Sequence, residues 1–482
     1  MIVARFGCIA RLALIAGAVS TCATNPATGG HMFSLISEGQ EIEMGREADA
    51  SIVAQMGLVD DSSVQRYVSD LGLRLARASE RPNLPWTFRV VDDPVINAFA
   101  LPGGYIYITR GILAHFNSEA ELASVLGHEI GHVTARHSVQ QISKQQLGQI
   151  GLGVAQIAAP RLGQFLGVAA AGLELLFLKF SRDDENQADE LGLRYMRRGG
   201  YEPREMVQVY VMLQRVGAAS GSARIPDWQS THPNPVDRQE RINRQVAAIP
   251  PDSMGGAVRR PEFLRQVDGI VFGDNPREGY FKESQFFHPD LRFQLTFPAG
   301  WKTFNTRQVV AAQRPQEDAQ IVLTAGPGAT PDSAANAFFG HQAVSGRPQR
   351  QQIHGLTAVG GPFTAQTQSG QVVSGAAAFI AHRGLVYEII GIATQSAWRT
   401  QEGAVTATLQ SFAPLTDATI LAVQPNRLDV VRVDRDATLA DFARRYPGPV
   451  SLSALALMNN VDSTATLSRN SLAKRVVGKP LP

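Results

Sequence analysis

At 482 residues the chain exceeds what one ordinary hydrophobic core organises, so two or three domains are expected. Lys plus Arg number 45 against 43 Asp plus Glu, a formal net charge of +2, and no basic block breaks the pattern, which excludes a nucleic-acid footprint. The 2 cysteines, Cys8 and Cys22, both fall at the N-terminus and exclude a disulfide framework for the mature chain.

Residues 1–22 read as an export signal. Arg5 and Arg11 supply the positive region, and 12–19 form an apolar core too short to span a bilayer. Val19-Ser20-Thr21-Cys22 resembles a bacterial lipobox with Cys22 as the lipidated residue, although Thr21 stands where Gly or Ala is usual. Cleavage after Ala16-Gly17-Ala18 with free release is the alternative. Both readings lead to the bacterial periplasm, and the first anchors the chain to the outer membrane through lipid.

Helical spacing of Ile42, Ala48, Ile52 and Met56, then of Val64, Val68, Leu71 and Leu75, predicts two amphipathic helices over 37–79. Residues 86–91 alternate as a strand, and 98–109 form a second extended pair broken by Pro102-Gly103-Gly104. A helix is predicted over 118–135, with Ser118 as its N-cap and Glu121 three residues on. The Gly- and Ala-rich stretch 145–180 is apolar but interrupted by Pro160, Arg161 and Glu174, which favours a buried or membrane-grazing helical pair over a span. Helices resume over 184–198 and 203–216. Short alternating runs then mark a separate α+β domain at 275–415 that carries no chemical motif. The order strand, helix, helix, strand over 428–482 resembles a degenerate LysM repeat, with peptidoglycan as the implied partner and a small docking domain as the alternative.

The helix at 118–135 contains His128-Glu129-Ile130-Gly131-His132. Residues i and i+4 share one helix face, so both imidazoles can reach one tetrahedral zinc, with Glu129 placed as general base toward a water there. A catalytic zinc needs a third protein ligand. Glu185 and Asp189 are also i and i+4, so one carboxylate can bind metal while the other reaches a histidine. Asp189 is the one expected to accept from the free nitrogen of a ligand histidine and set its tautomer.

These residues, together with Asn97-Ala98-Phe99, Pro102-Gly103-Gly104 and Thr231-His232-Pro233, resemble the CAAX prenyl protease family of zinc metallopeptidases, in its periplasmic branch. The resemblance covers about residues 22–250. It implies one zinc per chain held by His128, His132 and Glu185, with Glu129 as base. It further implies an edge strand at Asn97, Ala98 and Phe99 that holds extended substrate by backbone pairing, and a place near the metal for His232, with Arg238 as a weaker companion. His115 and His137 read as surface or core residues. No 34-residue helical repeat is visible, unlike the repeat-bearing proteases of that branch, so functions tied to such repeats are not carried over.

The expected architecture is α+β and multidomain. A mainly helical gluzincin-type metallopeptidase domain with a small active-site sheet occupies 23–260, followed by the accessory domain at 275–415 and the LysM-like tail at 428–482. The expected function is zinc-dependent endopeptidase action on extended, misfolded or unassembled envelope proteins, a quality-control role. The alternative is a latent protease serving as chaperone or peptidoglycan-associated scaffold.

Overall fold

The computed structural model describes residues 22–151, 178–219, 232, 235–327, 330–367, 370–479 and 481. The export signal before Cys22, most of the apolar 145–180 stretch, and Thr231 and Pro233 lie outside the described residues. Among the described residues no helix is long and apolar enough to cross a membrane. The molecule is α+β and divides into two compact units.

The first unit opens with a short hairpin of β1 (Cys22–Thr24) and β2 (His31–Phe33). Helices α1 (Glu38–Met56) and α2 (Ser62–Arg77) follow, each started by a side-chain cap. Ser37 and Gln40 form a reciprocal capping box, and Asp61 accepts from Ser63 N and Val64 N. A three-stranded sheet is built from β3 (Thr87–Val91), β4 (Ala98–Leu101) and β5 (Tyr105–Thr109) in the order β3, β5, β4. The β3–β5 pairing is parallel and β4–β5 antiparallel, so β4 is an edge. The turn between β4 and β5 needs glycine: Gly103 has φ 79°, and a Cβ there would stand 2.7 Å from Ile42 Cα on α1.

Among the described residues, five longer helices and two short ones follow: α3 (Arg110–His115), α4 (Glu119–Thr134), α5 (His137–Gly151), α6 (Arg182–Arg198), α7 (Arg204–Ala219), α8 (Pro235–Ala247) and α9 (Arg260–Val267). The core joins α2, the inner face of the sheet, α4, α6 and α7 through Leu71, Leu75, Ile106, Ile108, Leu126, Ile130, Tyr195 and Val209. Helices α4 and α6 approach backbone to backbone because both carry glycine at the crossing. A Cβ on Gly192 would lie 2.9 Å from His128 N, and one on Gly127 3.0 Å from Gly192 O.

Residues 427–477 do not stand apart as a terminal module; they pack into the first unit. Strands Arg427–Arg432 and Leu472–Val477 pair antiparallel around helices Leu439–Arg445 and Leu452–Met458. The wholly buried Lys474 donates from Nζ to Ala114 O and Phe116 O, each at 2.8 Å, where α3 ends. Asn117 Nδ2 donates to Met458 O at 3.3 Å and Arg260 Nη2 to Leu472 O at 3.2 Å. These bonds join residues more than two hundred positions apart, which a reading of local periodicity does not reach.

The second unit takes residues 274–426. Its main sheet is antiparallel along the strands Leu356–Gln366, Val372–His382, Leu385–Thr394, Ala319–Pro327 and Val309–Gln313, in that spatial order. Helix Gln395–Gln410 packs on one face, where Val405 joins the core with Ile321 and Tyr387. Helix Pro331–Phe339 packs with Val359, Phe363 and Phe379 in a separate apolar cluster.

Candidate metal centre

The histidines of α4 face the same side one turn apart, with Nε2 to Nε2 at 3.0 Å. Helix α6 crosses beneath them, and its first turn lifts Glu185 to the pair. Oε2 lies 3.6 Å from His128 Nε2, and Oε1 lies 3.5 Å from His132 Nε2. His232 closes the group, with Nδ1 2.9 Å from Glu185 Oε1 and 3.3 Å from His128 Nε2. All four residues are buried, and one ligand atom from each lies within 4.8 Å of every other. This borderline set of nitrogen and carboxylate donors suits a zinc-type divalent cation.

Glu129 lies beside the cluster. Its Oε1 is buried without a hydrogen-bond partner and 3.6 Å from His232 Nε2, as expected of an oxygen that serves a molecule bound at the metal. Burial, with Glu185 adding, pushes its carboxyl up to about 7 against the opposing pull of His232 and Arg238. Burial also lowers His128 to about 4, and His132 is held well below its usual value by burial and by the neighbouring His128, His137 and His232. Both α4 histidines are therefore neutral, the state in which imidazole ligates metal.

An outer layer holds these side chains in place. His128 Nδ1 stands 2.9 Å from Asp189 Oδ1. Arg238, from α8, donates to both Asp189 oxygens at 2.9 and 2.6 Å, and its Nη1 lies 2.6 Å from Glu185 Oε2. Tyr210, from α7, donates to Asp189 Oδ1 at 2.5 Å and accepts from Arg238 Nη2 at 2.9 Å. Burial alone would raise Asp189, but Arg238 and His128 outweigh it and hold the carboxyl well below the usual carboxylate range.

The structure brings together His128, Glu129, His132, Glu185, Asp189 and His232. Arg238, expected only as a weak companion, touches three of these residues: Asp189, Glu185 and His128. Tyr210 escaped the sequence reading, since a tyrosine on the apolar face of a helix carries no local sign of a polar partner. His137, expected as a surface or core residue, is buried beside His132, Nδ1 to Nδ1 at 2.9 Å. His115 bonds through Nδ1 to Gly111 O at 2.8 Å, away from the cluster.

Strand β4 packs against α4. The side chains of Asn97, Ala98 and Phe99 are buried, Phe99 stacking on Tyr107 at 4.7 Å, while Asn97 N donates to Thr109 Oγ1 at 3.1 Å, Asn97 O accepts from Thr109 N at 3.1 Å and Ala98 N donates to Asn97 Oδ1 at 2.9 Å. Cys22 pairs with Phe33 in the first hairpin.

The sequence model of peptidase family M48 matches residues 62–246, the span that contains the whole cluster. The β-barrel assembly-enhancing protease of Escherichia coli strain K12 is 30% identical over 223 residues, 45% of this chain and 45% of its own. The mitochondrial metalloendopeptidase OMA1 of Arabidopsis thaliana is 35% identical over 186 residues, 38% of this chain and 36% of its own. The chain thus spans less than half the length of these relatives. With His128, Glu129, His132 and Glu185 assembled inside the matched span, residues 62–246 of this chain are similar to peptidase family M48.

Proposed function

We propose that the protein is a zinc-dependent metalloendopeptidase. The observation that carries this reading is the buried group His128, His132, Glu185 and His232 with the unpartnered Glu129 oxygen at its side. His128, His132 and Glu185 would hold the ion, which when bound supplies Lewis acidity toward the scissile carbonyl and acidifies water. Glu129 takes the proton of the attacking water and hands it to the leaving amine, a role suited to a carboxylate whose pKa lies near neutrality. Asp189 and Arg238 keep His128 and Glu185 in place through the chemistry. His232 donates toward the developing oxyanion.

Substrate would lie along the outer edge of β4 as an added strand, read through the backbone at Asn97, Ala98 and Phe99. Such binding selects extended chains over folded ones. With the export-signal pattern and Cys22, this points to misfolded or unassembled envelope proteins in a bacterial periplasm, met by an enzyme tethered through lipid to the outer membrane. The name of the E. coli relative, which refers to β-barrel assembly, agrees with that substrate class.

A latent state is the second reading, favoured by the position of His232. A fourth donor 2.9 Å from Glu185 can complete a tetrahedral shell and leave no place for water. In that state the protein acts as a chaperone or, through residues 428–482, as a peptidoglycan-associated scaffold; sedimentation of the full chain with cell-wall sacculi tests the latter.

Zinc content and casein degradation, measured on wild type and Glu129→Gln, test the enzyme. One zinc per chain in both, with proteolysis lost about 10²–10⁴-fold in the variant, is the expected result. Zinc in both without proteolysis in either selects the latent state, and a protein that holds no zinc sinks the metallopeptidase reading.

A further inference from the structure

His128 and His132 both turn Nε2 toward the cluster and Nδ1 away from it, but their outward partners differ in kind. His128 meets the carboxylate of Asp189. His132 meets a second imidazole, His137 Nδ1, at 2.9 Å. His137 Nε2 then lies 2.9 Å from Gln187 Oε1, and the same oxygen accepts from Asn25 Nδ2 at 3.3 Å. Asn25 Nδ2 also reaches Ala135 O at 3.3 Å, at the C-terminal cap of α4.

One proton arrangement satisfies this whole chain of contacts. For His132 to offer a lone pair at Nε2, its proton must sit on Nδ1. His137 Nδ1 must then accept, so the His137 proton sits on Nε2, where Gln187 Oε1 receives it. The Gln187 oxygen has room for two donors, and Asn25 supplies the second. The backbone is bent to make the first contact possible: Arg136 takes a left-handed φ of 59°, turning the chain between α4 and α5 so that His137 folds back onto His132. Arg136 is held in that turn by Glu41 Oε2 at 2.8 Å and Ile36 O at 2.9 Å.

We propose that His137, Gln187 and Asn25 form a positioning relay that sets the tautomer and ring orientation of His132, so that the metal affinity of the site depends on the N-terminal segment beside Cys22. The proposal rests on the metal-site reading above. His137 touches neither substrate nor metal; it acts through His132.

The test uses the full chain and zinc itself, with affinity read by chelator competition and the His132 tautomer read by ¹⁵N NMR of the metal-free protein. His137→Phe removes the acceptor, and zinc binding is expected to weaken about 10- to 100-fold, with His132 losing its preference for the Nδ1 proton. His137→Gln places an amide oxygen at the position and should recover most of the affinity. Asn25→Ala removes the second donor to Gln187 Oε1 and should weaken zinc by a few-fold. Wild-type affinity and an unchanged tautomer in folded His137→Phe would overturn the proposal; if that variant does not fold, the same result in Asn25→Ala does so. Wild type that binds no zinc removes the metal reading instead, and the metal-free tautomer still decides whether the relay exists.

Discussion

The first unit and the 274–426 unit build interiors from different materials. In the first, Glu41, Arg81, Glu119, Glu121, Glu129, Arg136, Glu185, Asp189, Arg238 and Lys474 are all buried. Among the described residues of the second, the buried polar side chains are Thr367, His382 and Thr408, and no carboxylate, lysine or arginine joins them. Its centre is instead an aromatic cluster of Phe293, Tyr387 and Phe412, with Phe293 stacked on Phe412 at 5.2 Å. A buried ion costs several kcal/mol unless it is paired, and an apolar replacement often serves stability as well or better. The second unit shows that this chain can form a core without such pairs. Charges in the first unit therefore mark places where geometry, rather than stability alone, is held.

The sharpest way to break the contrast is at Glu41, which sits between Arg81 at 2.8 Å and Arg136 at 2.8 Å and ties α1 to the end of α4. Glu41→Ala leaves two buried arginines short of a partner and is expected to cost about 3–5 kcal/mol in urea denaturation. Zinc affinity should fall with it, because the turn at Arg136 loses its support. An equally stable variant would show that these charges are not coupled to the fold.

Phe293→Ala in the second unit is expected to cost a similar ~3–5 kcal/mol through an apolar cavity. Here zinc affinity should stay at the wild-type level, so the pair of variants separates stability from site geometry. A loss of zinc on Phe293→Ala would erase the distinction between the units.

Lys474→Met keeps the aliphatic stem but leaves Ala114 O and Phe116 O without their donor, an expected loss of about 1–3 kcal/mol by thermal or urea unfolding. The test sharpens the comparison because residue 474 belongs to the C-terminal segment while its partners precede α4. The smallest effect is expected at the exposed pair Arg350–Asp332, 2.7 Å apart on the surface of the second unit. Arg350→Ala should change stability by less than about 1 kcal/mol, and by less still in high salt.

Much of the first unit was legible because its signals are local. The helix at α4 follows from its cap at Ser118 and from apolar spacing, and a spacing of four places His128 and His132 on one face whatever surrounds them. The same spacing marks Glu185 and Asp189 as a pair, and alternation around Pro102-Gly103-Gly104 outlines β4 and β5. The strand, helix, helix, strand order after 427 could also be read locally.

What that segment packs against could not be. Lys474 looks like any lysine on a strand until Ala114 and Phe116 are brought to it across more than three hundred residues. His137 looks like a solvated residue at the start of a helix until the turn at Arg136 folds it onto His132. Tyr210 and Arg238 likewise gain their meaning from Asp189, which meets His128 where glycines let α4 and α6 touch. By itself, then, the sequence determined which residues share a helix face and which donors exist, since these follow from backbone periodicity and side-chain chemistry. Only the tertiary structure decided which donors meet, because that depends on packing between elements far apart in the chain.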